Sequence, residues 1–477
     1  MRAVTGDDHG QLKVVDFEKR LVRRHISDVH PKRGINTMAW TGRHMQGESS
    51  AFCQAEDEVT VGRANGIVQA FELAEGAESK FDLQPIRQFR LPSACVYVSS
   101  LARAMNAKAG LVSVGAQGEI AIVDWRGQWK VPTKDSWMTM EESTSVLDPR
   151  WFSEIDCGKR MKNRTKKSLR LINSEKENKM QVDWSESLDV SNPSKKKKSW
   201  FVTGYLTMGP VTKACLDEWT TAGRLLTGGE ENDVKLFDLK EGRCLYAARN
   251  VRPNKLNYVT DIDVTALNFA GALGPELFLA GNREGSLRLY DIRVPKYPVM
   301  GCQGTIENRP ISSIATRPPW VHRGSEDEAS PAFRLLKRQT GCDDMGVVVA
   351  DTHGMLYRYD LRRLDEPFRH KIYERDPNTQ LSKRRKVARK LHSLDCGAGE
   401  IMFNEPNTHF EFQMMKSYRG IVGTPEAVHV HEDGCHLLAS SMEGKLHVFN
   451  TRRQEIEQTL FLKNPVTSCL WSSHPVM

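Results

Sequence analysis

The sequence predicts an all-β fold, a seven-bladed β-propeller closed by its own two ends. Three observations predict it. One hairpin pattern returns seven times along the chain. A short apolar strand stands before six of these hairpins, and a seventh stands alone after the last. Each hairpin reverses at a polar tip that contains Gly, and Gly supplies the positive φ that tight two-strand turns need. An array of sheet hairpins at this period reads as a propeller.

The hairpins run from Arg2 to Asp16, Val59 to Phe71, Leu111 to Asp124, Leu225 to Asp238, Leu277 to Asp291, Val347 to Asp360 and Leu437 to Asn450. In each, an apolar run enters the turn and an alternating strand leaves it, closing on Asp or a near equivalent. Inner strands are expected at Ile35–Trp40, Cys95–Leu101, Val211–Leu216, Val264–Phe269, Ile311–Thr316 and Ala427–His431. The hairpin at Arg2 has no strand before it, and Val466–Trp471 has no hairpin after it. The C-terminal strand is therefore expected to complete the N-terminal blade, which removes two open sheet edges.

Antiparallel order within a blade makes successive connections alternate between the two faces of the disc. Outer-to-inner connections share a face with the hairpin turns and are mostly short: Leu91 to Cys95, Met208 to Pro210, Arg419 to Thr424. Three long insertions, 127–199, 319–344 and 364–409, fall on the opposite face. Loops of this length are functional or disordered. The front of the first, from Trp137 to Phe152, is rich in large apolar groups; it either packs back on the disc or serves as a linear motif for a partner. The middle insertion, with Ser325-Glu326-Asp327-Glu328, reads as a solvated loop.

Length alone would suggest two or three domains, but one propeller with long loops absorbs 1–477 as a single unit. The ten Cys are scattered without a C-x-x-C pair, which fits reduced thiols in an intracellular protein. The start MRAVTGDDHG has no signal-peptide pattern. No apolar stretch approaches the roughly 18 residues of a membrane span, and the mean hydropathy of -0.50 suits a protein with no membrane contact. Of the net charge of +8, the segment from Asp156 to Lys198 carries +7 and the run from Lys383 to Lys390 carries +6, leaving the remainder at −5. Basic charge concentrated in insertions points to arms that bind phosphate or nuclear import receptors.

Catalytic patterns are missing from the sequence. It has no phosphate-binding G-x-x-x-x-G-K-[ST] loop and no H-E-x-x-H zinc helix, and Gly397-Ala398-Gly399 is too short for a dinucleotide fingerprint. His429 and His431 share one strand face but have no third ligand nearby in sequence, so metal binding is not expected. No cofactor, no small-molecule substrate and no enzymatic activity are expected. An enzyme sited in the central channel would need several inward acids or histidines at one level, and the sequence shows no such convergence. Lys383-Arg384-Arg385-Lys386 suits the acidic groove of an import receptor, and Lys195-Lys196-Lys197-Lys198 could serve likewise. Either run could also neutralise RNA phosphates.

Third strands end in Asp124-Trp125-Arg126, Asp291-Ile292-Arg293 and Asp360-Leu361-Arg362. Such an Asp can cap the strand end while Arg pairs locally. The same Asp-x-Arg pattern resembles that of substrate receptors of cullin-type ubiquitin ligases, the alternative function class.

Two stretches carry a more specific likeness. Thr227-Gly228-Gly229-Glu230-Glu231-Asn232-Asp233-Val234-Lys235-Leu236-Phe237-Asp238-Leu239 leads into Ala248-Arg249-Asn250-Val251-Arg252-Pro253-Asn254, and Ala350 to Arg362 follows later. These resemble the WD-repeat ribosome-biogenesis factors of nucleolar precursors of the large (pre-60S) ribosomal subunit. The likeness implies a scaffold in large-subunit assembly and rRNA processing. It also implies a nuclear and nucleolar location, other assembly factors and pre-rRNA as partners, and release by an AAA-type ATPase. The family loop carries Gly-Gly-Lys-Glu-Asn where this sequence has Glu230 in place of the Lys. The family often ends in a basic tail, a role the basic insertions are expected to take here. The compact face is expected to dock protein partners through Arg63, Glu230, Glu231, Asn232, Arg283 and His353 at its turns, together with Arg249 and Asn250.

Overall fold

The computed structural model describes residues 2–25, 30–41, 58–73, 85–101, 110–123, 152–154, 203–206, 209–217, 222–251, 260–270, 276–293, 296–303, 305, 308–316, 346–360, 413–418, 420–431, 436–451, 453 and 455–471. These residues form seven antiparallel blades in a ring, a seven-bladed β-propeller.

Blade 1 orders β29 (Val466–Trp471), β1 (Arg2–Asp7), β2 (Leu12–Asp16) and β3 (Leu21–His25). Blade 2 holds β4 (Ile35–Trp40), β5 (Glu58–Arg63), β6 (Ile67–Glu72) and β7 (Pro85–Arg90). Blade 3 holds β8 (Cys95–Ser100), β9 (Leu111–Gly115), β10 (Glu119–Val123) and β12 (Thr203–Leu206), with β11 (Phe152–Glu154) added outside β12. Blade 4 holds β13 (Lys213–Leu216), β14 (Arg224–Gly229), β15 (Asn232–Asp238) and β16 (Arg243–Ala247). Blade 5 holds β17 (Val264–Phe269), β18 (Leu277–Asn282), β19 (Ser286–Asp291) and β20 (Met300–Gln303). Blade 6 holds β21 (Ile311–Thr316), β22 (Gly346–Asp351), β23 (Leu356–Asp360) and β24 (Gln413–Tyr418). Blade 7 holds β25 (Val428–Val430), β26 (His436–Ser440), β27 (Lys445–Asn450) and β28 (Glu455–Phe461).

The closure inferred from the sequence is present: Ala3 pairs with Trp471, Val4 with Leu470 and Thr5 with Cys469, joining the two ends in one sheet. Core residues fall into seven clusters, and each cluster bridges two neighbouring blades. Leu279, Leu289, Ile311, Val349 and Tyr357 join blades 5 and 6. Ala3, Val15, Leu438, Leu446 and Cys469 join blades 7 and 1. Both faces of most second and third strands are therefore covered, and those strands read as apolar runs rather than strict alternations.

The inner strands carry a device that the hydrophobic pattern does not show. Near their starts β4, β8, β17, β21 and β29 each hold a bulge, which leaves Asn36, Val96, Thr265, Ser312 and Thr467 as the extra residue. A side-chain to main-chain hydrogen bond then links every inner strand to the next. Thr467 Oγ1 donates to the Ile35 carbonyl. Asn36 Nδ2 donates to Cys95 O at 3.0 Å, and Leu216 N donates to Tyr97 Oη at 2.9 Å. Thr212 Oγ1 reaches Val264 O at 2.7 Å, Asn268 Nδ2 reaches Ile314 O at 3.0 Å, and Ser312 Oγ reaches Pro425 O at 2.6 Å. The His429 ring bonds the Cys469 main chain and completes the circuit. A bulge re-aims one side chain without ending the ladder, and in three of these links, from Thr467, Asn36 and Ser312, the bracing side chain is the bulge residue itself.

The sequence placed all of the 127–199 insertion on one face, and β11 corrects this. It pairs in parallel with β12, Phe152 opposite Gly204 and Glu154 opposite Leu206. Strands in parallel cannot be joined at one end, so the chain leaves β11 on the turn side of blade 3 and re-enters β12 on the other. Of the front of this insertion only Phe152 is described, and with Ser153 and Glu154 it pairs onto the edge of blade 3. The rest of that insertion and all of 319–344 and 364–409 lie outside the described residues.

Candidate docking face

Every hairpin turn opens on the same face. In six blades the last turn residue is a Gly at positive φ, such as Gly10 at 87° and Gly354 at 88°. Blade 4 differs from the sequence expectation. Its turn is tighter, and Glu231, not Gly, takes the positive φ, at 50°. Gly228 and Gly229 are needed there for close approach instead. A Cβ on Gly229 would lie 2.3 Å from Pro210 O, and one on Gly228 would lie 2.9 Å from Val264 Cγ1.

The turns are anchored from below by buried polar pairs. Asp7 Oδ1 accepts from the His9 and Gln11 amides at 3.2 and 2.7 Å, and Lys13 Nζ meets Oδ2. Asp351 Oδ1 accepts from the His353 and Met355 amides at 2.8 and 2.9 Å, while Tyr357 Oη donates to Oδ2 at 2.9 Å. At the opposite rim, the Asp that ends the third strand caps the next turn: Asp16 Oδ1 accepts from Glu18 and Lys19, and Asp238 Oδ1 from Lys240 and Glu241.

The expected docking residues divide into two groups. Glu230, Glu231, Arg249, Arg283 and His353 are exposed. Arg283 reaches Asp263 at 3.7 Å with 72% of its side chain exposed. Glu230 and Glu231 are fixed in place by the bridge from Glu230 to Asp263 and the bond from Glu231 N to Ile262 O. Arg63 and Asn232 are instead buried, at 4% exposure each. Arg63 donates to Gln69 Oε1 at 2.6 Å and to the Gly10 and Arg33 carbonyls at 3.2 and 2.8 Å, bracing blade 2 against blade 1. Asn232 donates to Pro210 O and accepts from Lys235 Nζ, both at 2.7 Å. Asn250 is half-buried. Its side chain donates to the Thr260 carbonyl and accepts from Arg288 at 3.1 Å. These three side chains hold the face together from within.

Sequence reasoning missed one part of this face. Val422 is 51% exposed and Met442 43% exposed at the turn end of blade 7. They are neighbours, since Ser441 Oγ reaches the Val422 carbonyl and Met442 N donates to Thr424 O at 3.0 Å. Met442 stands in the hairpin tip, where the other blades carry a polar residue or alanine, and that large apolar side chain is the available signal.

The Asp-x-Arg ends behave as a local cap where they are described. Asp291 is fully buried, and the Arg293 guanidinium spans both its oxygens at 2.8 to 3.2 Å while also reaching Glu276 at 3.0 Å. Lys195 to Lys198 and Lys383 to Lys386 lie outside the described residues. His429 sits on the inner strand of blade 7 and His431 just past its end, and among the described residues no three metal-ligating side chains converge. Burial lowers the His429 pKa to about 4, against the smaller raising effect of the bond to Cys469.

No protein-family model matches the chain, and no curated protein matches it. Many solved structures do. One is the computationally designed Ika8 protein, at 13% identity over 98% of this chain and 86% of that chain, with a TM-score of 0.43. A likeness at that level carries no argument about function.

Proposed function

We propose that this protein is a non-catalytic scaffold in assembly of the large ribosomal subunit and in rRNA processing. A β-propeller is usually a non-catalytic scaffold, offering rims and turns rather than one deep pocket. The observation that carries the reading is the resemblance of Thr227–Leu239 and Ala350–Arg362 to the pre-60S WD-repeat factors. Those segments form the hairpins that expose Glu230, Glu231 and His353 on one face. Exposed Val422 and Met442 add apolar contact area there. In this reading the turn face docks other assembly factors of the pre-60S particle. The Lys195–Lys198 and Lys383–Lys386 runs supply nuclear import and contact to pre-rRNA, and the protein works in the nucleus and nucleolus. An AAA-type ATPase as releasing partner rests on the resemblance alone. The alternative, a substrate receptor of a cullin-type ubiquitin ligase, needs Arg293 free to meet an adaptor, and its guanidinium is held by two carboxylates.

Affinity purification of the tagged full chain, with protein and RNA identified together, tests the reading. Recovery of large-subunit assembly factors and pre-rRNA is the expected result. Recovery of a cullin adaptor without ribosomal material overturns it. Deleting Lys383 to Lys390 should weaken nuclear accumulation, and unchanged localisation removes that role from the run.

A further inference from the structure

The outer edge of blade 1 is strongly basic, and the basic runs in the insertions do not account for it. From Lys19 to Arg33 the chain carries Lys19, Arg20, Arg23, Arg24, Lys32 and Arg33 against the single acid Asp28. The fold spreads these from one rim of blade 1 to the other. Lys19 and Arg20 form the turn into β3, on the rim away from the hairpin turns. Arg23 and Arg24 lie on β3, opposite Val14 and Lys13 of β2. Lys32 sits in a short 3-10 turn on the hairpin-turn rim. That turn is held by Arg33 N to His30 O at 2.8 Å and His30 N to His9 O at 3.0 Å. The five-residue strand spans about 17 Å, so these cations run from rim to rim.

Lys19, Arg20 and Lys32 are exposed, and Arg23 is partly so. None of these four is ion-paired with a described carboxylate. Glu18 and Asp16 are the acids on the same turn, and Asp16 is engaged in capping the Glu18 and Lys19 amides.

A plainer account is that charge on an outer strand merely guards an open edge. Two other blades show that guarding does not require cations: β28 presents Glu455 and Glu457 and β20 (Met-Gly-Cys-Gln) presents no charge, while β7 and β16 carry one or two arginines each and no such run. Nor does guarding explain Arg20, which adopts φ 48°. The corresponding turn of blade 4 places Gly242 there, at φ 62°. A bulky side chain in this region of backbone space is strained, and such strain gathers at functional sites.

We propose that the outer edge of blade 1 is a surface for the phosphodiester backbone of RNA, with Lys19, Arg20, Arg23 and Lys32 on successive phosphates. Guanidinium groups match phosphate oxygens in a two-pronged geometry. A row of cations running from rim to rim can follow an extended phosphodiester backbone, and Leu21, its one exposed large apolar residue among the described residues, offers little to anchor an acidic protein. The proposal needs a phosphodiester and no particular particle, so it stands apart from the ribosomal reading.

The test measures fluorescence anisotropy of a mixed-sequence 20-nucleotide single-stranded RNA over a salt series. The full chain is used, as wild type and with the Lys195–Lys198 and Lys383–Lys386 runs changed to Gln so that they do not mask the edge. In that background K19Q/R20G/R23Q should weaken binding at least about tenfold. It should also flatten the plot of log K against log salt by about 2, since each single-strand contact contributes about 0.7. R20G alone removes the strain, so it should keep the thermal midpoint while losing affinity; it carries the test if the triple variant fails to fold. Unchanged affinity and salt slope overturn the proposal. Loss of polyglutamate binding with RNA binding retained also overturns it, in favour of an acidic protein partner.

Discussion

Lys13 Nζ stands 2.9 Å from Asp7 Oδ2, with each side chain at most 2% exposed. The pair lies within the first hairpin, yet it secures the closure of the whole ring. Lys13 Nζ also donates to Leu462 O at 3.0 Å, and Asn464 Nδ2 donates to Asp7 Oδ2 at 2.8 Å. Both partners belong to the segment leading into the C-terminal strand. Removing one member of a buried pair strands the other and costs about 3 to 5 kcal/mol. Lys13→Met should therefore lower unfolding stability in urea by about 3 kcal/mol. Asp7→Asn/Lys13→Met should lose clearly less than the two single changes together. Strict additivity would mean that the pair does not act as a unit.

Much of this architecture is legible in the sequence because a propeller repeats its signal. Inner strands expected at Ile35–Trp40, Val264–Phe269, Ile311–Thr316 and Val466–Trp471 have those limits in the structure. Side-chain roles were less legible, because a turn position says where a residue is and not which way it points. The turn positions of Arg63 and Asn232 suggest surface charge and polarity, but both side chains fold inward to satisfy carbonyls. The clue was spacing: Asp7 and Lys13, Arg63 and Gln69, and Asp351 and Tyr357 are each six residues apart across their turns. β11 escaped because three residues carry no readable alternation. The basic edge is hidden in the sequence because acids elsewhere in the ring offset β3, so that net positive charge stands out only in the insertions.

Arg63 separates bracing from docking. Arg63→Met leaves Gln69 Oε1 and the Gly10 and Arg33 carbonyls without that donor. Buried groups left unpaired cost about 1 to 3 kcal/mol each, partly relieved where they find other donors. A loss of about 3 kcal/mol in urea unfolding is expected. A variant as stable as wild type that no longer binds partners would return Arg63 to the docking surface.

Acid should weaken the ring. His429 is neutral in the folded state, its pKa lowered by burial from 6.5 to about 4, and burial also lowers that of His447. The unfolded chain therefore takes up protons first as pH falls, so stability rises with pH in this window. Stability is full above about pH 6.5 and declines between there and about pH 4, by on the order of 3 kcal/mol for His429. The urea midpoint should fall over that range and fall less in His429→Gln. Parallel pH profiles for the two proteins would show that His429 is not responsible.

Glu231 offers a way to test the docking face without disturbing the fold. It is exposed and holds φ 50°, a conformation in which a side chain is strained and Gly is not. Glu231→Gly removes that strain and also gives the unfolded chain more freedom, so the two effects nearly cancel. Unfolding stability should stay within about 1 kcal/mol of wild type. Glu230→Lys touches an exposed side chain whose bridge to Asp263 is main-chain only, so it should also leave the fold intact. If the turn face docks assembly factors, the double variant should sediment away from precursor particles on a sucrose gradient while keeping its thermal midpoint. Normal co-sedimentation of a folded double variant would move the docking surface off blade 4, and the exposed Val422 and Met442 on blade 7 would be the next place to substitute.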